Sequence, residues 1–398
     1  MAGGYRAVLA RPGALRLILT GLLGRMPQGM SSLVLLLLVR AATHSYALAG
    51  AAVGASALAS AVCGPLLGRL VDRVGRRAVV APAAALQACV YFALALLARA
   101  HAPGALLILA CALSGALIPP ISSVVRTLLQ RLYGEPALLE TAYAVEAAAQ
   151  ELLWIVGPLL ASVVVTLASP VVAVALLGVL GAGGVALFLT SPLVSQTRPP
   201  KQTGRPHGAA LASADLRWLL APVALMGCAL GAVEVGLPSL ALHDGSRAAS
   251  GLLLALWSLG SMLGGVGYGV SLRGSALGSR YVALLCANCL LTLPLLVAGS
   301  IPAACACSLL AGLAIAPALS CQYSLVGRTV LDGTEHEAFS WSVSALVSGV
   351  AAGSALAGAA IAAAGVHAPF ALALTAASLA SIASLRFRGR YQAAAHAV

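Results

Sequence analysis

The residues able to do chemistry in this 398-residue chain stand where such residues are expensive. The stretch Leu17 to Val39, LILTGLLGRMPQGMSSLVLLLLV, has the length and apolar content of a membrane-crossing helix, yet it holds Arg25, Pro27 and Gln28 near its centre. A hydrocarbon core about 30 Å thick is crossed by ~20 helical residues at ~1.5 Å each, which puts Arg25 close to the midplane. At about 100° per residue, Gly21, Gln28, Gly29 and Ser32 lie within roughly 60° of Arg25, one small and polar stripe on an otherwise apolar circumference. An intramembrane charge costs at least ~2.5–3.5 kcal/mol on insertion scales, so that stripe must face protein or water.

Three acids occupy similar settings. Tyr143, Glu146, Gln150 and Gly157 share a helix face, and Glu151 lies about 140° from Glu146 and nearer the midplane. Glu234 shares a face with Gly227, Gly231 and Pro238. A carboxyl in low dielectric can take a proton from one side and lose it to the other, which is what proton coupling requires. Glu151 and Glu234 are therefore the expected proton sites. Arg25, with Gln28 beside it, is expected to be a cavity residue: a substrate contact, or the charge that lowers an acid's affinity for its proton. Glu146 is expected near a membrane surface, in a structural charge pair with Arg126.

The elements that position these residues are membrane helices. Hydrophobic residues make up 61% of the chain and charged residues 9%, against about 25% charged in soluble proteins. Twelve apolar stretches follow one another, at 15–38, 47–67, 79–98, 104–125, 142–166, 170–190, 218–241, 250–271, 281–300, 302–326, 338–364 and 368–386. The separators between them are short and carry turn residues and charges. The exception is Ser191 to Arg217, polar, basic and proline-rich, which reads as a linker. The expected organisation is thus a six-span half over 1–190, a linker over 191–217 and a second six-span half over 218–398. The first span is too long for a signal peptide and lacks a clear small-residue cleavage site, so it is expected to be retained.

Basic residues set the orientation. With the N-terminus cytoplasmic, nineteen of them fall on the inner side, from Arg6 to Arg390, and Arg40, Arg99 and Arg247 alone fall on the other. That asymmetry matches the positive-inside rule with an even number of spans and both termini in the cytoplasm. The net charge of +12 is then topogenic and lipid-attracting, and nucleic acid is not an expected partner. The dominance of arginine over lysine, with abundant alanine, reads as the codon bias of a GC-rich bacterial genome.

Other chemistries lack their parts. The nine cysteines lie singly in apolar runs, apart from the Cys286-x-x-Cys289 pair, and read as small packing residues. The seven histidines fall in loops, at helix ends or in the tail, without a zinc or heme constellation, so neither metal nor cofactor is expected. No phosphate-binding G-x-x-x-x-G-K-(S/T) loop occurs, and no loop could hold an ATPase domain. Neither an enzyme nor a primary pump is expected, and any transport must draw on a gradient.

One loop carries a specific motif. GRLVDRVGRR, Gly68 to Arg77, places Asp72 among Arg69, Arg73, Arg76 and Arg77 with glycines at 68 and 75. Topology alone would need the arginines but not the aspartate or the glycines. The motif resembles the cytoplasmic loop signature of the major facilitator superfamily, G-x-L-(A/S)-D-(R/K)-x-G-(R/K)-(R/K), with Val71 as its one departure. Twelve spans with a long central loop are similar to that family over essentially the whole chain. The resemblance implies an all-α fold of two pseudo-symmetric six-helix bundles with substrate between them at the midplane. It also implies a gating role for Gly68, Asp72, Arg73, Gly75, Arg76 and Arg77, which would latch one half against the other. A weaker copy is expected between the eighth and ninth spans, where GYGVSLRGSALGSR has no acid.

The fifth span of drug–proton antiporters in that family carries G-x-x-x-G-P-x-x-G-G. Here Gly157 and Pro158 are kept as a helix-packing motif, while Leu153, Ala161 and Ser162 stand at the other glycine positions. Gly260-x-x-x-Gly264 and Gly349-x-x-x-Gly353 add two further sites of close helix approach. The expected function is alternating-access transport of a small organic molecule in a bacterial cytoplasmic membrane, as proton-coupled efflux, with uptake as the alternative and a non-transporting sensor or scaffold behind both. The expected partners are the substrate, protons and the lipid bilayer, and a monomer is expected.

Overall fold

A computed structural model describes residues 2–195, 210–243, 247–271, 277–331 and 333–396. Most of the linker, and residues 272–276 within the stretch expected to carry the second copy of the motif, lie outside the described residues. Among the described residues, twelve helices are long and apolar enough to cross a membrane: α1 Ala14–Thr43, α2 Leu48–Val74, α3 Arg76–Arg99, α4 Gly104–Leu132, α5 Leu138–Leu167, α6 Pro170–Leu189, α7 Ala214–Ala241, α8 Ala249–Tyr268, α9 Leu277–Val297, α10 Ile301–Thr329, α11 Glu335–Ala364 and α12 Ala368–Arg386. A short helix, Ala2–Ala10, precedes them.

Local chemistry sets several of the boundaries. The Ser45 hydroxyl accepts from the Leu48 N–H before α2, and the Ser169 hydroxyl accepts from the Val172 N–H before α6, each satisfying an amide that a helix start leaves free. Pro170 fits the first turn of α6, where no amide hydrogen is needed. Pro119 and Pro120 interrupt α4, which stops at Ala116 and restarts at Ile121. Several helices run past their apolar stretch, most visibly α2 to Val74 and α4 to Leu132, and Val71, Leu128 and Leu129 in the added turns join the buried core. The second half begins at Ala214, four residues before the apolar run at 218.

The pairing of helices repeats with an offset of six. Contacts of α1 with α5 and α6, of α2 with α4, and of α3 with α6 recur as α7 with α11 and α12, α8 with α10, and α9 with α12. Each half is thus the same bundle built from different side chains.

The two halves share a core at one end only. One buried cluster, which includes Val71, Tyr143, Leu216 and Phe339, draws on both halves. A second, from Met30 to Leu177, belongs wholly to the first half, and a third, from Ala229 to Ala377, wholly to the second. The halves are joined on the face that carries the described ends of the chain and separate towards the opposite face. Gly54 on α2 and Gly358 on α11, near that opposite face, have no neighbour within 4 Å of the position a Cβ would take.

Candidate functional site

Gly75, at φ +92°, turns the chain from α2 into α3 in a conformation that side-chain-bearing residues rarely adopt. That turn leaves Asp72, in the last turn of α2, against the start of α11. Its Oδ1 accepts from the His336 N–H at 3.1 Å and its Oδ2 from the Glu337 N–H at 2.8 Å. These amides open a helix and have no partner within it, and Thr334 at the cap position gives them no side-chain bond. The cap of a helix in one half therefore comes from the other half, and its negative charge also suits the helix dipole.

Further bonds surround that cap. Arg76 Nε donates to His336 Nε2 at 3.3 Å, so the ring carries its proton on Nδ1, 2.6 Å from Asp72 Oδ1. Arg69 Nη2 lies 2.7 Å from Glu337 Oε1, and Arg131 Nη2 lies 3.8 Å from Glu335 Oε1. A Cβ at Gly68 would stand 2.6 Å from the His336 carbonyl oxygen, so the two helices meet this closely only because position 68 has no side chain. Arg73 and Arg77 are exposed and stand outside the contact. One ligand atom each from Asp72, Glu335 and His336 lie within 4.8 Å of one another, a spacing a metal ion could bridge. Both Asp72 oxygens and both His336 nitrogens are already hydrogen-bonded, however, and Arg76 brings a positive charge to the ring.

A second tie lies across the same face. Glu140 at the start of α5 receives both terminal nitrogens of Arg280 on α9, at 2.6 and 2.7 Å, with Arg328 Nη2 of α10 at 3.9 Å. Gln130 Nε2 on α4 donates to the Gly327 carbonyl at 2.9 Å.

Deeper in the first half, Arg25, Glu146 and Arg126 form one buried cluster. Arg25 Nη1 donates to Glu146 Oε1 at 2.6 Å, and Arg126 Nε lies 3.5 Å from Glu146 Oε2. Arg25 also donates to the Ser122 hydroxyl and Arg126 to Gln150 Oε1. The Tyr323 ring, from the second half, covers the Arg126 guanidinium at 3.6 Å, a cation–π contact, and Tyr143 meets both Tyr323 and Phe339 edge-on. This arrangement corrects two expectations. Arg25 is fully buried, and the acid it meets is Glu146 rather than Glu151 or Glu234. Glu146 is fully buried, not partly solvated at a surface, and it shares its carboxylate between two arginines. The helix that restarts after Pro120 carries Arg126 into the core.

The open side can be followed along single stripes. On α1, Arg25 is buried, Gln28 half-buried and Ser32 exposed. On α7, Leu216, Leu219 and Val223 are buried, while Leu230 and Glu234, further along the same stripe, are half-buried and exposed. On α5, Leu153 and Gly157 touch α1, and Glu151 faces α8, where Ser261 donates to Glu151 Oε1 at 3.0 Å. Gln150 and Trp154 lie on the arc between those two contacts and so face the space between the halves, Trp154 being 49% exposed. Leu152, Leu159 and Val163 lie on the opposite, exposed arc. Gly157 packs on the backbone of Gly29, and Gly349 and Gly353 pack on Ala224 and Cys228.

Residues 17–281 match the Major Facilitator Superfamily. The chain belongs to that superfamily. No curated protein sequence matches it. Among solved structures, a bacterial homologue of the iron transporter ferroportin in an outward-facing state is similar at TM-score 0.75 and 17% identity, covering 94% of this chain and 98% of that one. The same homologue in the outward-facing state with soaked iron gives 0.76 and 18%, covering 95% and 99%. The human organic anion transporter MFSD10 (TETRAN) gives 0.74 and 18%, covering 94% and 99%. At these identities the likeness is one of fold.

As a major facilitator, the protein is a secondary transporter, and its parts take their places in that fold. The ties between its halves are ion pairs, amide caps and small-residue contacts, each of which can be broken and remade. Two of these parts escaped sequence reasoning. Arg280 and Glu140 stand 140 residues apart with no shared motif, and Tyr323 reaches Arg126 from the other half. An arginine at the start of the ninth span, in the loop expected to hold the motif's second copy, was the one available signal for the first.

Proposed function

We propose that this transporter exports a small organic molecule from a bacterial cytoplasm in exchange for protons. The observation that carries the reading concerns acids. Among the described residues, Glu151 and Glu234 are the acids at membrane depth with no cationic partner, whereas Glu140, Glu146, Glu335 and Glu337 each have an arginine and Asp72 is held by the α11 amides and His336. A bare charge at that depth costs about 2.5–3.5 kcal/mol or more, and a proton removes it. Glu151 bonds Ser261 across the contact between the halves, and Glu234 lies exposed on α7 beyond the buried stretch of its stripe; in this reading the surroundings of both change when the halves rock.

Two further features support the direction. Arg69, Arg73, Arg76, Arg77, Arg131, Arg280 and Arg328 lie at the joined face, which the positive-inside rule makes cytoplasmic. The cavity then opens to the outside, in keeping with the outward-facing state of the ferroportin homologue. The packing of Gly157 on Gly29 keeps the part of the antiporter motif that this chain retains.

The test is accumulation of cationic, neutral and anionic compounds in a drug-sensitive bacterial host expressing the chain, with Glu234→Gln and Glu151→Gln as controls. Export coupled to protons lowers accumulation of some compound, and the effect disappears on collapsing the proton gradient and in at least one variant. Raised accumulation would mean uptake. An effect that survives in both variants would remove these carboxyls from the coupling.

A further inference from the structure

The buried cluster of α1, α4 and α5 has more positive charge than its own acid can balance. Arg25 and Arg126 share the single carboxylate of Glu146, and all three side chains are at most 1% exposed. Ser122 and Gln150 supply neutral oxygens to the two arginines. Arg25 Nη2 and Arg126 Nη1 nevertheless make no hydrogen bond. The Tyr323 ring covers a face of the Arg126 guanidinium, which leaves in-plane donors of that group unfilled. A structural pair would be complete with one arginine. A buried second cation with unfilled donors is costly unless something negative joins it in part of the cycle.

The place suits such a visitor. Ser122 and Gln150, the hydrogen-bond partners of the two arginines, are half-buried, and Trp154 stands exposed one turn beyond Gln150 on the same stripe. The cluster therefore forms the floor of the cavity, with an aromatic wall directly above it. Tyr323 and Phe339 cap it from the second half, so the floor changes shape whenever the halves move.

We infer that this cluster recognises an anionic group on the transported molecule. A carboxylate, sulfonate or phosphate pairs with Arg25 and Arg126 while the apolar body of the molecule lies against Trp154. The inference rests on the transport reading above and names the substrate class of that same cavity. The role of Glu146 is to hold the two arginines in place and to cancel one of their charges. Charge-paired donors of this kind bind bidentate oxyanions strongly where water is excluded.

The test uses the full chain purified in detergent and four matched probes: 2-naphthoate, naphthalene-2-sulfonate, 2-naphthalenemethanol and 2-naphthalenemethylamine. By isothermal titration calorimetry the two anions should bind at least about tenfold tighter than the alcohol and the amine. Anions that bind no better than the alcohol to the unmodified protein would overturn the inference without recourse to any variant. Arg126→Gln should abolish the preference, and Glu146→Gln, which removes the competing carboxylate, should widen it. If both substitutions abolish it together, the cluster is structural and the inference fails. Proton flux into liposomes, followed with an enclosed pH dye, is scored separately. Anion preference without proton flux leaves this site standing and removes proton-coupled export, whereas flux without preference does the reverse.

Discussion

Arg280 and Glu140 form a two-pronged ion pair between the halves of the transporter, Nη1 to Oε2 at 2.6 Å and Nη2 to Oε1 at 2.7 Å. By the six-helix offset, α9 and α5 are the counterparts of α3 and α11, where Arg76, the first residue of α3, bonds His336 of α11. The second half thus has a tie in the equivalent place with the polarity of Arg69 on Glu337: the base lies beside the loop and the acid on the facing helix. Such a tie needs no acid in the second loop, which explains how the fold closes one face symmetrically although the motif is not repeated.

Removing either partner should open that face. The Arg280 and Glu140 side chains are 10% and 16% exposed, and breaking a largely buried pair by deleting one charge costs about 3–5 kcal/mol. Arg280→Ala and Glu140→Ala should each shift the population towards closure of the opposite face. Spin labels at Gly54 and Gly358, in a cysteine-depleted background, would report this as a shorter distance. The exchanged pair Glu140→Arg with Arg280→Glu should recover most of the original distance. Single variants that leave the distance distribution unchanged would reduce the pair to decoration.

The Asp72 contact makes a different prediction, because its acceptors serve backbone amides. Asp72→Asn keeps one carbonyl oxygen and loses both the second acceptor and the charge at the α11 dipole, together worth about 1–2 kcal/mol. The variant should insert and fold normally but transport at least about tenfold more slowly, as the state closed on this face loses population. Asp72→Ala should be slower still. Full transport by Asp72→Asn would remove the latch from the mechanism.

Much of this architecture was legible in the chain. Span length and the central break give twelve helices because the bilayer imposes one thickness on every crossing segment. The face of Arg25 also follows, since helical spacing needs no tertiary information. Its partner does not follow: spacing says which residues share a face, but not which neighbouring helix covers that face. Glu146, Glu151 and Glu234 were equally available to it on paper, and the choice falls to Glu146 because Gly29 and Gly157 bring α1 into backbone contact with the face of α5 that Glu146 shares with Gly157, whereas Glu151 faces α8. The depth of Arg126 does not follow either: it stands one residue past the fourth apolar run, and only the restart of α4 after Pro120 shows that it lies in the core.

The stacking of Tyr323 on Arg126 separates aromatic from hydroxyl chemistry. Tyr323→Phe keeps the ring over the guanidinium and should leave thermal stability nearly unchanged. Tyr323→Leu removes a desolvated cation–π contact worth about 2 kcal/mol and should lower the melting temperature measurably. Equal losses in the two variants would show that the hydroxyl, not the ring, matters.

The last prediction concerns Gly157. A Cβ there would stand 2.6 Å from the Gly29 carbonyl oxygen and 2.8 Å from its Cα, and both are backbone atoms in a helix that cannot yield locally. Gly183 on α6 is its control, with nothing within 4 Å of the same construction. Gly157→Ala must push α1 and α5 apart, at the roughly 1–3 kcal/mol typical of overpacking, and it would also loosen the Arg25–Glu146 pair that bridges the same two helices. Gly183→Ala should be neutral or slightly stabilising, because alanine is the better helix former by about 1 kcal/mol. Thermal unfolding of the two variants in the same detergent measures the contrast directly. If Gly157→Ala melts with Gly183→Ala, the α1–α5 approach is not close enough to matter, and backbone contact between those helices no longer explains why Arg25 pairs with Glu146.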